Sequence, residues 1–538
     1  MTTYLVTADP PTPNGDLHVG HLSGPFLGAD VFCRFQKMQG NRSIYLSSSD
    51  GHQSYVTTTA RRLGRDPFEL IETSTANIRS TLAAAEIHVD AFNNAVGNQG
   101  HVRFVQEFFK GLYDRGIVEP MERNALFCPR CERTLFCAFA GGRCPRCGQE
   151  ASGNPCESCG RFYSQVELIE PRCTICGGEP IVRPYVGLFL PLERYRSQLR
   201  EFYASRSTWR RHSLALCESL LEEPLIDFPV SHPADWGVPV PVPDFQDQVI
   251  NVWIEMYPGY VQTTREWAEE QGEPELADAI WDGGGKLVQF LGYDNTFCNG
   301  VVHAALSLAL GRPWIGPDHV ITNEFYFLDG EKFSTSRDHV IWGRDVLGST
   351  DASALRYHLA RTNPEFWQTS FSAEDLAATI QRELLDGWND SIARALSMVS
   401  NGDGAAGGPL DLQAVGLMRS IAARLERFYG LAEFSLRGAG ATLGEYVEAC
   451  GQYARRREDD SAGFCRDREA ATLLRALAIF SAPLMPGFAQ RLWDVIGEPG
   501  RVAEVSWQSF KAPPVNGTAG VGARADLFAD PVSSSVLG

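Results

Sequence analysis

The chain has 538 residues, which is too long for one hydrophobic core, so we expect several structural units. Hydrophobic residues make up 44% of it and charged residues 21%, as in ordinary globular proteins, and we find no apolar run long enough to cross a membrane. The formal net charge of −18 argues against nonspecific attraction to nucleic acid or to an anionic membrane. Because the first residues do not resemble a secretory leader, we expect a cytoplasmic protein.

The first hundred residues have the pattern of a doubly wound α/β unit. Thr3–Ala8 and Arg42–Asp50 are short apolar runs typical of buried parallel strands, and a helical pattern lies between them. Further helical segments are expected up to about residue 116. Ligands of such sheets bind at the carboxyl ends of the strands. Asp9 and Asp50 lie at these ends, so both are candidate site residues.

Between about residues 117 and 229 the composition changes to cysteine, glycine and arginine, which predicts an insertion with short strands and a metal-based core. Eight cysteines form four Cys-x-x-Cys pairs, a spacing that favours two structural Cys₄ zinc sites over disulfides. We interpret the pairs as nested, with the inner two on one ion and the outer two on the other, although spacing alone does not prove this. The pairs are Cys128/Cys131, Cys144/Cys147, Cys156/Cys159 and Cys173/Cys176.

Two short motifs have the composition of phosphate-binding segments. The motif HVGH (His18–His21) follows a proline-rich turn and opens a helix, where backbone N–H groups and imidazoles can hold a triphosphate. The motif KFSTS (Lys332–Ser336) offers a lysine and hydroxyl groups on a loop. Each motif alone is a weak signal, and a solvated loop is the alternative interpretation of the second.

In this order, with a cysteine-rich insertion between them and a helical pattern after them, the motifs resemble class I aminoacyl-tRNA synthetases, and most closely the methionyl-tRNA synthetase family. HVGH stands for the HIGH signature and KFSTS for KMSKS, while Asn251–Tyr260 and Phe290–Asn295 resemble the amino-acid pocket segments. The resemblance implies an α/β fold: a Rossmann-like (HUP-type) catalytic domain, a zinc-knuckle insertion and a C-terminal α-helical bundle. The implied units are the catalytic halves 1–116 and 230–322, the insertion 117–229, a KMSKS-loop and stem-contact region 323–386, an anticodon-binding-like bundle 387–510 and a disordered tail 511–538.

The resemblance also implies the chemistry, in which ATP with Mg²⁺ and an amino acid form an aminoacyl adenylate. It assigns stabilisation of the reacting phosphates to His18, His21, Lys332, Ser334 and Ser336. It assigns ATP binding to these histidines and the lysine together with Gly20, Gly292, Tyr293 and Asp294. Asp50 would bind the substrate ammonium group, and the side-chain pocket would contain Asp9, Trp253, Met256, Tyr257, Tyr260 and Asn299.

Several pocket positions depart from the family pattern. The family usually has leucine where this chain has Asp9, and a carboxylate against an apolar side chain costs several kcal/mol unless it is paired. Asp9 therefore favours a substrate with a cationic or hydrogen-bonding end, unless its side chain turns away to cap a local turn. Met256–Tyr257 replace alanine–proline, Cys298–Asn299 replace phenylalanine–histidine, and Tyr293 replaces a lysine. Together these changes predict an altered substrate.

The positions that read the anticodon in the family also differ. Leu396 and Ser400 stand where the family presents asparagine and arginine, and Tyr453 stands near its stacking tryptophan. Base stacking on Tyr453 is still available, but the hydrogen-bonding pair is missing. We therefore expect tRNA binding to be weakened.

Three functional hypotheses follow. The first is an ATP-dependent ligase that transfers an activated amino acid to a small molecule, such as an N-hydroxylated diamino acid in hydrazine (N–N bond) biosynthesis, with a separate cupin partner. The second is an authentic methionyl-tRNA synthetase that charges tRNA. The third is a non-catalytic binding protein on a synthetase scaffold. The first is the one that the altered pocket favours.

Overall fold

The computed structural model describes residues 1–153, 155–311, 314–333, 339–400, 410–458, 466–512 and 527–528. Ser334 and Ser336 of the predicted loop lie outside these residues, as does the glycine-rich stretch 401–409. Among the described residues, no helix combines the length and the apolar character needed to cross a lipid bilayer.

Helices and strands follow one another along the whole described chain, with short π-helical turns at Leu22–Phe26, Ile280–Gly284, Cys298–His303 and Thr379–Asn389. The strands are β1 (Thr3–Ala8), β2 (Arg42–Ser49), β3 (Ala91–Asn94), β4 (Glu119–Cys128), β5 (Arg133–Leu135), β6 (Cys137–Arg143), β7 (Glu150–Gly153), β8 (Ile169–Cys173), β9 (Ile181–Pro191), β10 (Asp227–Pro229), β11 (Ser231–Pro233), β12 (Gln248–Ile250), β13 (Gly285–Gly292), β14 (Pro317–Asn323), β15 (Tyr326–Leu328) and β16 (Thr369–Phe371). The helices are α1 (Val19–His21), α2 (Leu27–Met38), α3 (Ser54–Leu63), α4 (Pro67–Ala84), α5 (Gln99–Asp114), α6 (Arg196–Ala204), α7 (Arg211–Leu220), α8 (Val252–Glu270), α9 (Pro274–Ala279), α10 (Ala304–Leu310), α11 (Gly343–Leu347), α12 (Ala352–Arg361), α13 (Ala373–Ala378), α14 (Asp390–Ser400), α15 (Leu412–Tyr429), α16 (Leu436–Glu458), α17 (Arg466–Ser481) and α18 (Pro486–Val495).

The central sheet is parallel and has the strand order β14-β13-β1-β2-β3. The chain runs outward from β1 to β3, enters the insertion, and returns on the other side of β1 as β13. The two strands β1 and β13 therefore flank a topological switch point, where a crevice opens at the carboxyl ends of the strands. Asp9, Asp50 and Tyr293 directly follow β1, β2 and β13, so the sheet brings these residues to one edge.

Strand β1 is buried on both faces, as its apolar sequence predicts. Successive side chains of a strand point to opposite faces. Val6 and Ala8 belong to the core that the sheet shares with α2 and the C-terminal helices, whereas Leu5 belongs to the core on the other face. The aromatic side chain of Phe434 contacts Phe290 of β13, with ring centroids 5.1 Å apart, and so joins the C-terminal helices to the sheet.

The insertion is built of antiparallel sheets with the orders β10-β9-β4-β5 and β7-β6-β8. The prediction of short strands is wrong for β4 and β9, which have 10 and 11 residues. These two strands pair with each other over most of their length, and most of their outer side chains are exposed. An exposed ribbon carries little apolar alternation, so the sequence does not reveal it.

Strand β3 lies in a stretch that the sequence predicted to be helical. It is only four residues long, has the sequence AFNN, and pairs with β2 at the edge of the sheet. A strand this short and this rich in asparagine lacks both the β-branched content and the alternation by which strands are recognised.

The predicted helical region contains α14 to α18, which pack on one another and on α12. Most of the predicted disordered tail lies outside the described residues. Leu527 and Phe528 are exceptions because they are buried, and the Phe528 ring stacks on Phe488 with centroids 4.8 Å apart. The Phe528 ring also lies 6.0 Å from the Trp388 ring.

A buried ion cluster joins α2 to α12. The Arg356 guanidinium donates to Asp30 Oδ2 at 2.6 Å, and the two side chains are 2% and 1% exposed. Arg34 Nε donates to the same oxygen at 2.8 Å. Burial alone would raise the pKa of Asp30, but Arg34 and Arg356 outweigh it and lower this pKa. The cluster therefore holds an ionised carboxylate between two guanidinium groups.

We predict that Asp30→Asn lowers the free energy of unfolding by about 3–5 kcal/mol, because the buried Arg356 guanidinium and the partly exposed Arg34 guanidinium lose their counter-charge. Since folding lowers the pKa of Asp30, its stabilisation is complete above the ordinary aspartate pKa. It is lost as the pH falls through the lower, folded-state value. Thermal unfolding at neutral pH and at successively lower pH measures both effects.

The matched control is Asp278→Asn. This residue is 72% exposed in its ion pair with Arg265, so the substitution should change stability by less than about 1 kcal/mol. Equal losses for the two variants would contradict a dominant role for the buried cluster.

Candidate functional site

The two histidines of HVGH are stacked on each other at the start of α1. Their ring centroids lie 3.7 Å apart with an interplanar angle of 20°. Each backbone N–H donates to the other residue's Nδ1, at 3.3 Å in both directions. A Cβ on Gly20 would lie 3.0 Å from the His18 ring and from the Phe333 ring, so a larger residue there would require these rings to shift.

These hydrogen bonds determine where the imidazole protons lie. Both Nδ1 atoms act as acceptors, so in the neutral ring the proton is on Nε2. Burial lowers the pKa of His21 to about 4 and, together with the neighbouring imidazole, lowers that of His18 as well. Each histidine is therefore neutral near pH 7 and has an Nε2–H to donate. A cavity of about 310 Å³, lined by both rings, Thr12, Asn14 and Tyr55, lies beside them.

The second motif is in contact with the first. The ring of Phe333 stacks on His18 with centroids 4.4 Å apart and an angle of 5°. Lys332 Nζ lies 3.4 Å from Glu157 Oε2 of the insertion and 4.5 Å from the centre of the Phe325 ring. Ser334 and Ser336 lie outside the described residues. The structure thus places Phe333, the residue after Lys332, against His18 and leaves the two serines undescribed.

The segment after β13 provides another wall of the crevice. Gly292 leaves no room for a Cβ, which would lie 2.6 Å from Asp294 Oδ1. The Tyr293 ring lies 5.3 Å from the His212 ring. The insertion packs against this wall at Gly160. A Cβ built on this glycine would lie only 3.4 Å from Tyr293.

The carboxylate of Asp9 faces Asn299, in the segment that follows β13, and does not cap a local turn. Asn299 Nδ2 donates to its carboxylate at 3.3 and 3.4 Å. Gln289 Nε2 donates to Asn299 Oδ1 at 2.9 Å, which fixes the amide with its nitrogen toward Asp9. The side chain of Asp9 therefore belongs to a hydrogen-bonded set at the carboxyl ends of β1 and β13.

Three carboxyl groups lie at this crevice, and burial is the main cause that raises the pKa of each. Burial and the nearby Asp294 raise the pKa of Asp9 to about 8. Burial and Glu255 raise that of Asp50 to about 7, and burial and Glu157 raise that of Asp294 to about 7. Like charges in one poorly solvated site disfavour ionisation. The crevice is therefore ready to accept a cationic group, which would relieve this repulsion.

The predicted side-chain pocket is partly filled by protein. Met256 and Asp50 line a cavity of only about 20 Å³. Tyr257 is fully buried and its hydroxyl donates to the Ile315 carbonyl at 2.7 Å, so it is anchored in the core. Trp253 and Tyr260 are also buried, and the Trp253 Nε1–H has no hydrogen-bond partner among the described residues.

A charged relay beside Asp50 was not predicted. Glu255 Oε1 lies 2.7 Å from His52 Nδ1 and 2.8 Å from His101 Nε2. Burial alone would raise the pKa of Glu255, but the two imidazoles lower it to about 2. Asn93 Nδ2 lies 3.1 Å from His101 Nδ1 and donates to it. The Glu255 carboxylate thus accepts hydrogen bonds from two imidazoles.

The sequence contains a signal for only part of this relay. His52 lies two residues after Asp50 in the stretch SSSDGHQ, so its proximity to the crevice could have been inferred. His101 and Glu255 are 154 positions apart and belong to α5 and α8, and no local motif links them. Phe333 and Glu157 likewise reach the site only through tertiary packing.

The cysteines form two separate clusters, and both match the nested arrangement. The outer pairs bring together Cys128, Cys131, Cys173 and Cys176, and the inner pairs bring together Cys144, Cys147, Cys156 and Cys159. Neighbouring sulfur atoms from different pairs are 3.5 to 3.9 Å apart. A disulfide has its sulfurs about 2.05 Å apart, whereas a tetrahedral zinc site with Zn–S bonds of about 2.3 Å has them about 3.8 Å apart. Both clusters can therefore hold a metal ion.

Comparison with known proteins gives one consistent result. A family model described as tRNA synthetases class I (M) matches residues 4–396. The methionine–tRNA ligase of Methanopyrus kandleri is 32% identical over 520 residues, which cover 94% of this chain and 77% of that protein. The enzyme of Rubrobacter xylanophilus is 32% identical over 514 residues, covering 91% and 89%.

Solved structures agree with the predicted fold. The structure of Mycobacterium tuberculosis methionyl-tRNA synthetase bound by methionyl-adenylate superimposes with a TM-score of 0.77, at 19% sequence identity, and covers 98% of this chain and 100% of that chain. The apo form of the same enzyme gives a TM-score of 0.71 at 18% identity. The predicted class I α/β fold is confirmed.

We predict that the purified protein binds two metal ions per chain, and that chelation removes both and destabilises the insertion. Cys128→Ser and Cys144→Ser should each reduce the metal content to one ion, because each removes one ligand from a different cluster. Elemental analysis by mass spectrometry measures the content. Cys450→Ser, a buried cysteine of α16 outside both clusters, is the control and should leave two ions bound. A single ion in the unaltered protein would contradict the two-site arrangement.

Proposed function

Since the chain belongs to the methionyl type of the class I tRNA synthetases, and is an adenylate-forming ligase of that class, we propose that the crevice between β1 and β13 activates an amino acid other than methionine. The observation that carries this proposal is the meeting of Asp9, Asp50 and Asp294 in one crevice beside the stacked His18 and His21. The proposal has three parts: the nucleotide, the amino acid and the acceptor.

The nucleotide part rests on the neutral histidines. Two Nε2–H groups beside a cavity can donate to phosphate oxygens as negative charge develops on them in the transition state. Neutral donors need no deprotonation and hold their geometry through the stacking. Lys332 can supply a full positive charge to the departing pyrophosphate if it exchanges Glu157 for phosphate. Gly292, Tyr293 and Asp294 would form the adenosine side of the site, with the Tyr293 ring available for stacking.

The amino-acid part of the proposal rests on Asp9 and on the small volume of the cavity beside Met256. Asp50 would bind the α-ammonium group of the substrate. The positive charge of that group would lower the cost of ionising the Asp50 carboxyl group. Asp9, which accepts a hydrogen bond from Asn299, presents a carboxyl group to the side-chain end of the site, and a thioether would add no hydrogen bond to it. The cavity of about 20 Å³ beside Met256 has room for about one water molecule, so a small side chain fits it better than a methionine side chain does.

The acceptor part is the transfer of the aminoacyl group to a small nucleophile, such as an N-hydroxylated diamino acid. Leu396, which stands where the family presents an anticodon-reading residue, is fully buried, so it cannot contact RNA. The net charge of −18 also opposes tRNA binding. Neither N–N bond formation nor a cupin partner is supported by a described residue, so the proposal ends at transfer to the nucleophile.

The second candidate function is that of a methionine–tRNA ligase. Two proteins that bear this name are 32% identical to the chain over more than nine-tenths of its length, and this similarity favours it. It requires the pocket beside Met256 to open when methionine binds, and it fits the raised pKa of Asp9 and the hydrogen bond that Asp9 accepts from Asn299. The two candidates differ in the amino acid that drives adenylate formation.

We propose zinc as the metal of both cysteine clusters. Eight thiolates in two sets of four supply all the ligands of two tetrahedral sites, so no coordination position is left for a substrate. The metals would hold the knuckle that carries Glu157 and Gly160 against Lys332 and Tyr293. Their role would be structural.

We predict that ATP–pyrophosphate exchange depends on a small or polar amino acid and is at least tenfold slower with methionine. The reason is that Asp9 and Met256 leave no apolar space for the thioether. The measurement is radiolabelled pyrophosphate exchange across the proteinogenic amino acids, with a His18→Ala, His21→Ala double variant as the inactive control. Exchange confined to methionine would establish the second candidate function instead.

We predict that Asp9→Leu increases methionine-dependent exchange by about tenfold or more, since it replaces a carboxyl group by apolar surface. Asp9→Asn is the matched control because it keeps the volume and the hydrogen-bonding character. It should not gain methionine activity. If Asp9→Leu gains no more than Asp9→Asn does, Asp9 is not the group that excludes methionine.

A further inference from the structure

A second cavity, which we call the insertion cavity, lies between the cysteine-rich insertion and the catalytic sheet. Its volume is about 290 Å³, which approaches the size of a small-ligand site. One wall comes from the insertion and includes Phe127, Thr134 and Phe139. The other comes from the segment after β2 and from the β11–β12 region, and includes His52, Gln53 and Ala234.

Specific contacts hold the two walls together, so the cavity is a built feature of the fold. The Ala138 N–H donates to Ser54 Oγ at 3.0 Å, and Arg133 donates to Asp235 at 2.8 Å. The Trp236 Nε1–H donates to the Gly51 carbonyl at 3.0 Å. These bonds join the insertion and the β11–β12 region to the residues that follow Asp50.

The insertion cavity adjoins the proposed amino-acid site. Val252 lines both the insertion cavity and the small cavity beside Met256. Gln53 hydrogen-bonds to Asp50, and its own Oε1 is buried without a partner among the described residues. A buried unpaired oxygen in the wall of a cavity is a site for a ligand's donor group.

The relay through Glu255 determines which nitrogen of His52 can accept a proton. Asn98 Nδ2 donates to Asn93 Oδ1 at 2.9 Å, which leaves the Asn93 amide nitrogen to donate to His101 Nδ1. His101 then donates through Nε2 to Glu255, and His52 donates through Nδ1 to the same oxygen. His52 is thereby held in the tautomer with a lone pair on Nε2, and that nitrogen has no partner within the described chain. This is the arrangement of a general base oriented by a carboxylate.

We propose that the insertion cavity binds the acceptor, a small amine or hydroxylamine with an aliphatic chain, and that His52 is its general base. The inference rests on the proposed function. The aromatic and aliphatic wall would contact the chain of the acceptor, and Gln53 Oε1 would accept a hydrogen bond from its polar end. A nucleic-acid acceptor is the alternative, and the experiment below decides between them.

The transfer step is balanced as follows. The nucleophilic oxygen or nitrogen of the acceptor forms a bond to the carbonyl carbon of the aminoacyl adenylate. The bond from that carbon to the phosphate oxygen breaks, and AMP leaves with the electron pair. The proton of the nucleophile passes to His52 Nε2, while Glu255 stabilises the imidazolium that results.

The experiment fills the insertion cavity from both walls, with Ala234→Trp on one side and Thr134→Trp on the other. Pyrophosphate exchange with the activated amino acid measures adenylate formation. AMP release and mass spectrometry of the conjugate, with L-lysine, L-ornithine and N6-hydroxylysine as acceptors, measure transfer. We expect exchange within about twofold of the unaltered protein and transfer reduced at least tenfold in both tryptophan variants. Ala234→Ser is the control and should leave both activities unchanged.

His52→Ala tests the base, because a small imidazole molecule can enter the space that the substitution leaves. We expect transfer to fall about 100-fold, which is within the range for loss of a general base, and to be partly restored by added imidazole. A merely structural loss would not be restored.

The possible results distinguish the claim that the insertion cavity binds the acceptor from the proposed function itself. If exchange and transfer both occur and the tryptophan variants transfer at the unaltered rate, the insertion cavity is not the acceptor site, although the proposed function stands. Transfer to a tRNA transcript and to none of the three amines would overturn the inference and the small-molecule acceptor together. An absence of exchange with every amino acid would overturn adenylate formation itself.

Discussion

Burial of three carboxyl groups at the carboxyl ends of β1, β2 and β13 is the constraint on which the site depends. A parallel sheet brings the residues after neighbouring strands to one edge, and here those residues are Asp9, Asp50 and Asp294. Each carboxyl group has a raised pKa because the crevice desolvates it and another acid lies nearby. An ammonium group that binds in the crevice would favour the ionised forms of these carboxyl groups. An uncharged thioether side chain would offer them no such interaction.

Residues of the insertion contact the site, and the cysteine cluster next to them in the chain would fix their position. Glu157 lies between the cysteines of an inner pair, and its carboxylate reaches Lys332. Gly160, just after that pair, approaches Tyr293. Metal ions in the two clusters would hold these residues in place without taking part in the chemistry. The insertion also closes one side of the cavity beside His52, so a single unit contacts both the nucleotide side and the proposed acceptor side.

Residues in short local motifs could be placed from the sequence. The strands β1 and β2, the nested cysteine pairs and the position of HVGH at a helix start follow from runs and spacings within a few residues. Glu255, His101 and Phe333 could not be placed, because their partners are brought to them by the packing of α5 on α8 and by the contact between two distant loops. The same limit explains the missed strand β3 and the buried Leu527 and Phe528, whose structure depends on tertiary neighbours.

The proposed function requires the crevice to prefer an aminoacyl adenylate other than the methionyl one. The most direct measurement is the affinity of the unaltered protein for two non-hydrolysable adenylate analogues, glycyl and methionyl sulfamoyl adenosine, by isothermal titration. We expect the glycyl analogue to bind at least tenfold more tightly, because both analogues share the nucleotide contacts and only the methionyl side chain must displace Met256 and contact Asp9. Tighter binding of the methionyl analogue would contradict it, and the protein would then be a methionine-activating enzyme.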